Sequence, residues 1–309
     1  MLLAFRLLLF ASLVGTSSAS ASRESVLPAQ TSIALNTIAF EGHRYVVRAD
    51  LDGAARVPLM VHGNSRMYLS LTHKAAKRVT GAAVRKDSDY GYSSRGKGVV
   101  RVGEIRMAGE TFHGEARVPV FDFTESGDSP VQGMIGVRFL LAARAAVDFR
   151  SDRLLLGVTH QSLPDRALLV DKYRWVPISS HPGGRTTVKV YFPALRRALP
   201  ITPSTVANAL TLHLPLFAKK IPIIKTKPDR SPNGTTPETF HSDAVTFEIG
   251  GVKMTSPASL EDMAEYGKVQ ERDLESYGML GFDWMKAHRA VIDYANLRLY
   301  FKPDSPSVL

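Results

Sequence analysis

The sequence contains no cysteine among its 309 residues. Disulfides, zinc sites built from cysteine, iron–sulfur clusters and thiol nucleophiles are therefore excluded. Long hydrophobic runs are also missing, because no segment approaches the roughly 20 apolar residues of a membrane-spanning helix. Apolar residues make up 44% of the chain and charged residues 22%, which is typical of a soluble folded protein of about two domains.

Several common catalytic and binding motifs are absent as well. The nine histidines are scattered, and no His-Glu-x-x-His, Gly-x-Ser-x-Gly or glycine-rich phosphate loop occurs. We therefore expect no metal and no cofactor. The 39 Lys and Arg exceed the 29 Asp and Glu, so the net charge is +10. Basic residues do not alternate with aromatic ones in any stripe, so we do not expect nucleic-acid binding.

Residues 1–21 have the pattern of a signal peptide. Arg6 is the only charge, residues 7–14 form a short apolar core, and Ala19-Ser20-Ala21 is a cleavage site of small residues. We therefore expect an exported protein, periplasmic or secreted. A cysteine-free exported chain favours a bacterial source. The alternative is that the segment stays in place as an uncleaved anchor.

The most specific feature of the sequence is an internal repeat. Residues 133–156 align without gaps with residues 278–301 at an offset of 145, and nine of 24 positions are identical. Ordinary composition gives about one or two identities by chance. Each copy begins with Gly-apolar-apolar-Gly, continues into a short helix and ends in two strands joined by a polar turn. A duplicated unit of about 130 residues forming two similar lobes is the simplest interpretation.

The remaining pattern consists mainly of short strands separated by turns such as Asp52-Gly53. Two helical stretches interrupt them, at residues 73–79 and 260–266. We predict an N-terminal lobe at residues 30–163, a linker at 164–183 and a C-terminal lobe at 184–305.

This pattern resembles the aspartic proteases of the pepsin and retroviral type over about residues 35–303. One motif of that family is the repeated segment described above. The other is an apolar strand that ends in Asp-Thr/Ser-Gly and is followed by a helix. The resemblance implies a mostly β molecule made of two similar pepsin- or retropepsin-like β-barrel lobes with a cleft between them.

The resemblance also implies where the two catalytic aspartates of the family would lie, one from each lobe. In the N-terminal lobe the matching strand runs into His62-Gly63-Asn64, so His62 takes the aspartate position. In the C-terminal lobe we align Thr202-Pro203-Ser204, so Thr202 takes it. Neither residue is a carboxylic acid, and no Asp-Thr-Gly or Asp-Ser-Gly occurs in the chain. The family's proton-sharing pair of carboxyls is therefore absent.

We accordingly expect an inactive relative that binds an extended peptide or protein segment in the inter-lobe cleft. A segment at residues 87–98 corresponds to the hairpin flap of the family, and a plain surface loop is the alternative for it. The residues expected to line the cleft are His62, Gly63, Ser65, Tyr92, Thr202 and Thr205. Three alternatives stay open. The first is a hydrolase that uses His62 or an unrecognised carboxylate, and the second is a structural envelope protein with a filled cleft. The third is a different alignment of the C-terminal lobe, in which an Asp elsewhere completes a site.

Overall fold

The computed structural model describes residues 31–39, 42–80, 84–86, 98–120, 122–123, 129–159, 172–182, 184–225, 240–264 and 269–303. The predicted signal peptide and the flap residues 87–97, which include Tyr92, lie outside the described residues. Within the described ranges the chain forms three sheets and four short helices.

A ten-stranded sheet is built from the N-terminal half of the chain. Its strands are β2 (Asn36–Ala39), β3 (His43–Leu51), β4 (Ala54–His62), β5 (Leu69–Leu71), β6 (Arg85–Lys86), β7 (Gly98–Val100), β8 (Glu104–Met107), β9 (Glu110–His113), β10 (Val118–Val120) and β11 (Gly133–Gly136). The predicted turn at Asp52-Gly53 joins β3 to β4. Strand β11 lies between β4 and β5, parallel to β4 and antiparallel to β5. The chain that leaves β4 therefore crosses the end of β11 before it returns in β5.

An eight-stranded sheet is built from the C-terminal half and repeats this arrangement. Its strands are β15 (Ser179–Ser180), β16 (Thr186–Phe192), β17 (Arg197–Pro203), β18 (Leu210–His213), β19 (Ile224–Lys225), β20 (Phe240–Ile249), β21 (Val252–Glu261) and β22 (Gly278–Leu280). Strand β22 lies between the parallel β17 and the antiparallel β18. An additional pairing of β16 with β20 closes the sheet on itself.

A six-stranded sheet joins the two halves. Its strands follow the order β1 (Thr31–Ala34), β13 (Arg153–Leu156), β12 (Ala146–Asp148), β23 (Val291–Asp293), β24 (Arg298–Phe301) and β14 (Arg174–Pro177). At its centre Val147 pairs with Ile292, its own counterpart at the offset of 145. A pseudo-twofold axis therefore passes between these two residues, in agreement with the internal duplication.

The helices are α1 (His73–Thr80), α2 (Val137–Ala142), α3 (Leu214–Phe217) and α4 (Phe282–Ala287), with 3₁₀ turns at Pro193–Leu195 and Glu271–Asp273. The predictions at α1, α2 and α4 agree with the structure. The predicted helix at 260–266 is wrong at its start, because β21 continues through Glu261 and pairs with β18 up to His213. None of the helices in the described ranges is long and apolar enough to span a membrane.

The predicted domain boundaries stay predictions. Residues 160–171 and 183 lie outside the described part of the chain. The described residues between them include β14 and β15, so the range that we predicted as a linker contributes strands to the central and C-terminal sheets. One hydrophobic core cluster contains buried residues of both halves.

Candidate functional site

The ends of β4 and β17 meet at the junction of the two halves. His62 is the last residue of β4 and pairs with Gly136 of β11. In the C-terminal half, Pro203 is the last residue of β17 and pairs with Leu280, one residue before Gly281. Because Gly281 is the repeat counterpart of Gly136, the residue that corresponds to His62 is Ser204.

This register corrects the sequence alignment of the C-terminal lobe. We placed Thr202 opposite His62 and Pro203 opposite Gly63, which is two residues too early along the chain. Strand β17 continues through Pro203, and the N–H of Ser204 continues the ladder by donating to the Leu280 carbonyl at 2.8 Å. The pairs across the junction are therefore His62 with Ser204 and Gly63 with Thr205. These four residues are called the central site below.

Thr205 connects the two lobes at the central site. Its hydroxyl accepts a hydrogen bond from the Gly63 N–H at 2.7 Å and donates one to the Val61 carbonyl at 2.6 Å, and both are buried. The resemblance implies a Thr or Ser that bonds across the lobes at this position, and the C-terminal lobe supplies one. Gly63, the counterpart of Thr205, has no side chain, so it cannot form an equivalent side-chain hydrogen bond to the C-terminal lobe.

The phenol of Tyr294 lies where a side chain on residue 63 would lie. A Cβ atom added to Gly63 would come within 2.5 Å of the Tyr294 hydroxyl oxygen and 3.1 Å of Thr205 Cγ2. Tyr294 is 1% exposed, and burial raises the pKa of its phenol above its usual range. The missing N-terminal side chain is therefore replaced by an aromatic ring from the C-terminal half.

Ser204 is fully buried, and its hydroxyl is fully engaged. The hydroxyl oxygen accepts hydrogen bonds from the N–H groups of Val206 at 3.2 Å and Ala207 at 2.9 Å. It also donates to the Asn64 amide oxygen at 3.3 Å. A buried hydroxyl with these partners is a structural link across the junction and does not present a nucleophile to solvent.

His62 is half-buried, and its Nδ1 atom is buried without a hydrogen-bond partner. Burial, followed by the positive charge of Arg44, lowers the pKa of His62 from 6.5 to about 4. The imidazole is therefore neutral near neutral pH and does not replace a protonated carboxyl.

Arg44 lies beside the central site and was not predicted from the sequence. It is only 9% exposed. Its Nη1 atom donates to the His43 carbonyl at 2.9 Å and, across the junction, to the Asn208 amide oxygen at 3.0 Å. Val46 pairs with Met60 in the β3–β4 hairpin, so the same register places Arg44 opposite His62 two residues further on. This register is the signal that would have identified Arg44 as a neighbour of His62.

Other residues predicted to line the cleft have different surroundings. Ser65 is half-buried in the turn after β4, where its N–H donates to the His62 carbonyl at 3.0 Å. Thr202 and Thr205 are both 0% exposed and Gly63 is buried, so these three residues do not offer side-chain surface to a ligand. Thr205 is buried because it joins the lobes.

The two loops above the central site rest on the repeated glycines. A Cβ atom on Gly136 would lie 2.7 Å from the Ser65 carbonyl oxygen, and one on Gly281 would lie 2.6 Å from the Asn208 carbonyl oxygen. These backbone contacts leave no room for a side chain at either position. The last glycine of each Gly-apolar-apolar-Gly motif thus allows the backbone after His62 and Ser204 to pack closely against the sheets.

An ion pair bridges the lobes beside the central site. Nη2 of Arg66 lies 2.8 Å from Oε2 of Glu275, and Nε of Arg185 lies 3.8 Å from the same oxygen.

The two aspartates that are identical between the repeats, Asp148 and Asp293, accept hydrogen bonds in their own turns. Among the described residues, no cluster of three or more His, Asp or Glu side chains is arranged to hold a metal ion.

No family model matches the chain, and no curated protein matches it. Solved structures do match. An aspartic proteinase from Irpex lacteus is 13% identical, with 91% of this chain and 99% of that chain covered and a TM-score of 0.51. The basic 7S globulin from soybean is 11% identical, with 89% and 95% covered and a TM-score of 0.45. An EIAV protease complexed with the inhibitor HBY-793 is 16% identical, with 35% and 91% covered and a TM-score of 0.26.

The match with the Irpex lacteus proteinase spans nearly the full length of both chains. Because the sequence identity is low, this match is evidence for the fold alone. The chain therefore has the mostly β, bilobal fold of the pepsin-like aspartic proteinases, with His62 at the end of β4 and Ser204 directly after the end of the equivalent strand β17.

Proposed function

We propose that this protein is an exported, non-catalytic relative of the aspartic proteinases that binds an extended peptide or protein segment in the inter-lobe cleft. The observation that carries the proposal is that His62 and Ser204 occupy equivalent positions, His62 at the end of β4 and Ser204 directly after the end of β17. Neither side chain is a carboxylic acid.

Aspartic-protease chemistry requires two close carboxyls that share one proton. The ionised one takes a proton from water while the protonated one polarises the scissile carbonyl. Here one position holds a neutral imidazole and the other a buried hydroxyl that is bonded to Asn64. Neither can play the part of the shared acid, so the central site lacks the water-activating pair.

The cleft between the lobes, which the resemblance implies, would suit an extended segment, because strand-like ligands bind by main-chain hydrogen bonds with side chains in alternate pockets. His62 and Ser65 are the predicted contact residues that keep exposed surface. Tyr92 stays a predicted contact on the flap.

The activity test uses the purified protein and a library of quenched fluorescent peptides, with His62→Ala, Ser204→Ala and Thr202→Ala as variants. We expect no cleavage by any of them. Cleavage that disappears in His62→Ala and persists in Thr202→Ala would contradict the proposal. That result would favour the second candidate, a hydrolase with His62 as its general base, for which the neutral imidazole and its buried unpartnered Nδ1 atom are the supporting observations.

The binding test selects ligands from a display library of random peptides and measures their affinity by fluorescence anisotropy. Ser65→Trp should weaken binding because it fills the cleft beside His62. Thr255→Trp, on the exposed face of β21, is the control and should bind normally. If no peptide binds the folded protein, the proposal fails and a structural envelope role is favoured.

The export part of the proposal has its own test. The mass of the protein recovered from the periplasm or culture medium should correspond to cleavage after Ala21. Recovery of the intact chain from the membrane fraction would contradict it.

A further inference from the structure

The positive charge of the chain is concentrated in one segment. Between residues 172 and 228 the sequence has ten Lys and Arg and no Asp or Glu. The whole chain has 39 basic and 29 acidic residues, so this segment accounts for the entire excess of ten. A surface that this segment forms is therefore electropositive, whereas the charges of the remaining residues balance.

Part of this charge surrounds one open pocket in the C-terminal half. The pocket has a volume of about 610 Å³ and is lined by Ala194, Leu195, Arg196, Arg197, Leu216 and Lys220. The three basic side chains are exposed, and among the described residues no carboxylate lies within ion-pair distance of them. Lys219, next along the chain, is also exposed. The name basic face is used below for Arg196, Arg197, Lys219 and Lys220.

The backbone beneath the basic face is held by packing. The 3₁₀ turn Pro193–Leu195 ends at Arg196, whose φ of 53° is left-handed and whose N–H donates to the Pro193 carbonyl at 3.1 Å. Just before this turn, Phe192 packs edge to face on Phe217 of α3, with ring centroids 5.0 Å apart. The turn and α3 are thus joined, and their basic side chains surround the same pocket.

Apolar side chains accompany these charges. Leu195 and Leu216 are half-buried in the wall of the pocket, and Ile224, four residues after Lys220, is 58% exposed. Cations beside exposed apolar groups suit an anionic membrane, because the cations meet lipid phosphates and the apolar groups enter the interface. Single-stranded nucleic acid is bound largely by aromatic stacking, and none of the residues lining the pocket is aromatic.

The basic face and the central site lie at opposite ends of β17. Arg197 is the first residue of this strand and Pro203 the last, so the two ends are about 20 Å apart. Contact between the basic face and a large partner therefore does not require the central site.

We propose that the basic face docks on the surface of a membrane that contains anionic phospholipids. The headgroup phosphates contact Arg196, Arg197 and Lys220, and the Ile224 side chain enters the interface. The docking is peripheral, involves no covalent step and is independent of the proposed peptide binding.

The first experiment measures co-sedimentation of the mature form, residues 22–309, with lipid vesicles. Residues 1–21 are left out because their apolar core would itself partition into lipid, and all described contacts lie within residues 31–303. One set of vesicles is phosphatidylcholine alone, and the other is phosphatidylcholine and phosphatidylglycerol in equal parts. We expect binding only to the anionic vesicles, and it should fall as sodium chloride is added. Equal binding to both sets, or binding to neither, would overturn the proposal.

A triple variant tests the basic face. Arg196→Gln, Arg197→Gln and Lys220→Gln together should weaken binding to the anionic vesicles at least about tenfold, because each basic residue near an anionic surface adds to the attraction. Circular dichroism checks that the variant is folded, and the comparison of the two vesicle types decides without it.

A matched control has the same net charge as the triple variant. Lys74→Gln, Lys77→Gln and Arg101→Gln change three exposed positions of the N-terminal half. This control should bind nearly as well as the wild type. Equal losses in the two triple variants would overturn the assignment to the basic face, because only total charge would then matter.

Ile224→Ser distinguishes a membrane from another polyanion. It should weaken binding to the anionic vesicles several-fold, because an apolar side chain no longer enters the interface, and should leave binding to heparin unchanged. Stronger binding of the wild type to heparin or to double-stranded DNA than to the vesicles at the same salt concentration would overturn the lipid as occupant. Unchanged vesicle binding in Ile224→Ser would overturn it as well.

Discussion

Thr205 makes the buried hydrogen bonds that join the two lobes at Gly63 and Val61. Its hydroxyl is the partner of one buried N–H and one buried carbonyl from the opposite lobe. Thr202 is equally buried only three positions earlier, yet its hydroxyl has no hydrogen-bond partner. The same substitution at Thr202 and at Thr205 therefore compares a buried hydroxyl without hydrogen bonds with one that has two.

Replacing the two threonines by valine should therefore have opposite consequences. Thr205→Val leaves two buried polar groups unsatisfied and should lower the free energy of unfolding by about 2–4 kcal/mol. Thr202→Val removes an unsatisfied buried hydroxyl and should leave stability unchanged or slightly higher. Urea unfolding measures both values. A larger loss for Thr202→Val than for Thr205→Val would show that the register assigned to β17 is wrong.

The pH dependence of stability tests the surroundings of His62. Because the pKa of His62 falls from 6.5 to about 4 in the native state, the unfolded chain binds a proton that the native protein does not. The free energy of unfolding should therefore fall as the pH is lowered from 6.5 towards 4, by about 3 kcal/mol from this residue.

The measurement compares urea unfolding of the wild type and His62→Asn across this pH range, because other groups also titrate there. The difference between the two should shrink or reverse in favour of His62→Asn as the pH falls. His113→Asn, at an exposed position, serves as the control. A constant difference between wild type and His62→Asn from about pH 7 to pH 4 would contradict the lowered pKa.

At the scale of elements, the two copies of the repeat end in equivalent turns that are held differently. Asp148 at the end of β12 accepts hydrogen bonds from the Arg150 N–H and forms a bidentate pair with its guanidinium at 2.8 and 2.7 Å. Asp293 at the end of β23 accepts from the backbone and amide N–H groups of Asn296 instead. Burial raises the pKa of Asp293.

The same substitution should therefore cost more in the first copy. Asp148→Asn breaks a largely buried ion pair and should destabilise the protein by about 3 kcal/mol. Asp293→Asn keeps an acceptor oxygen and removes a desolvated charge, so its cost should be about 1 kcal/mol or less. Thermal and urea unfolding at neutral pH give both numbers, and equal costs would count against this account of the turns.

At the scale of the whole molecule, the two lobes contribute strands to one sheet and buried residues to one hydrophobic core. Strands β12 and β23 pair across the pseudo-twofold axis, and one hydrophobic cluster contains residues of both halves. Below the central site, Tyr45 and Phe149 pack against Phe282, with ring centroids 4.8 and 5.4 Å apart from it. Lys286 reaches Asp152 across the junction at 2.7 Å.

We therefore expect the two lobes to unfold together. Differential scanning calorimetry should show one transition whose calorimetric and van't Hoff enthalpies agree. Glu275→Gln removes only the ion pair beside the central site and should leave the transition single, with a loss of about 1 kcal/mol or less. Two resolved transitions would mean that the shared sheet does not couple the lobes.

Much of the fold was predictable from the sequence because a duplication is visible in local patterns. The 24-residue repeat, its glycines and the strand–turn–strand endings predicted two similar lobes and the helices α2 and α4. The helix predicted at 260–266 is wrong at its start because long-range pairing with β18 extended β21 through Glu261. Local propensity was overridden there by the sheet ladder.

The sequence by itself determined that the doubled scaffold carries no Asp-Thr-Gly or Asp-Ser-Gly, since the identity of side chains does not depend on the fold. Only the tertiary structure decided that His62 corresponds to Ser204, that Arg44 lies beside it and that Tyr294 fills the space above Gly63. Strand register and packing between distant segments are set by long-range ladders and by the available volume. A pattern of neighbouring residues does not contain that information.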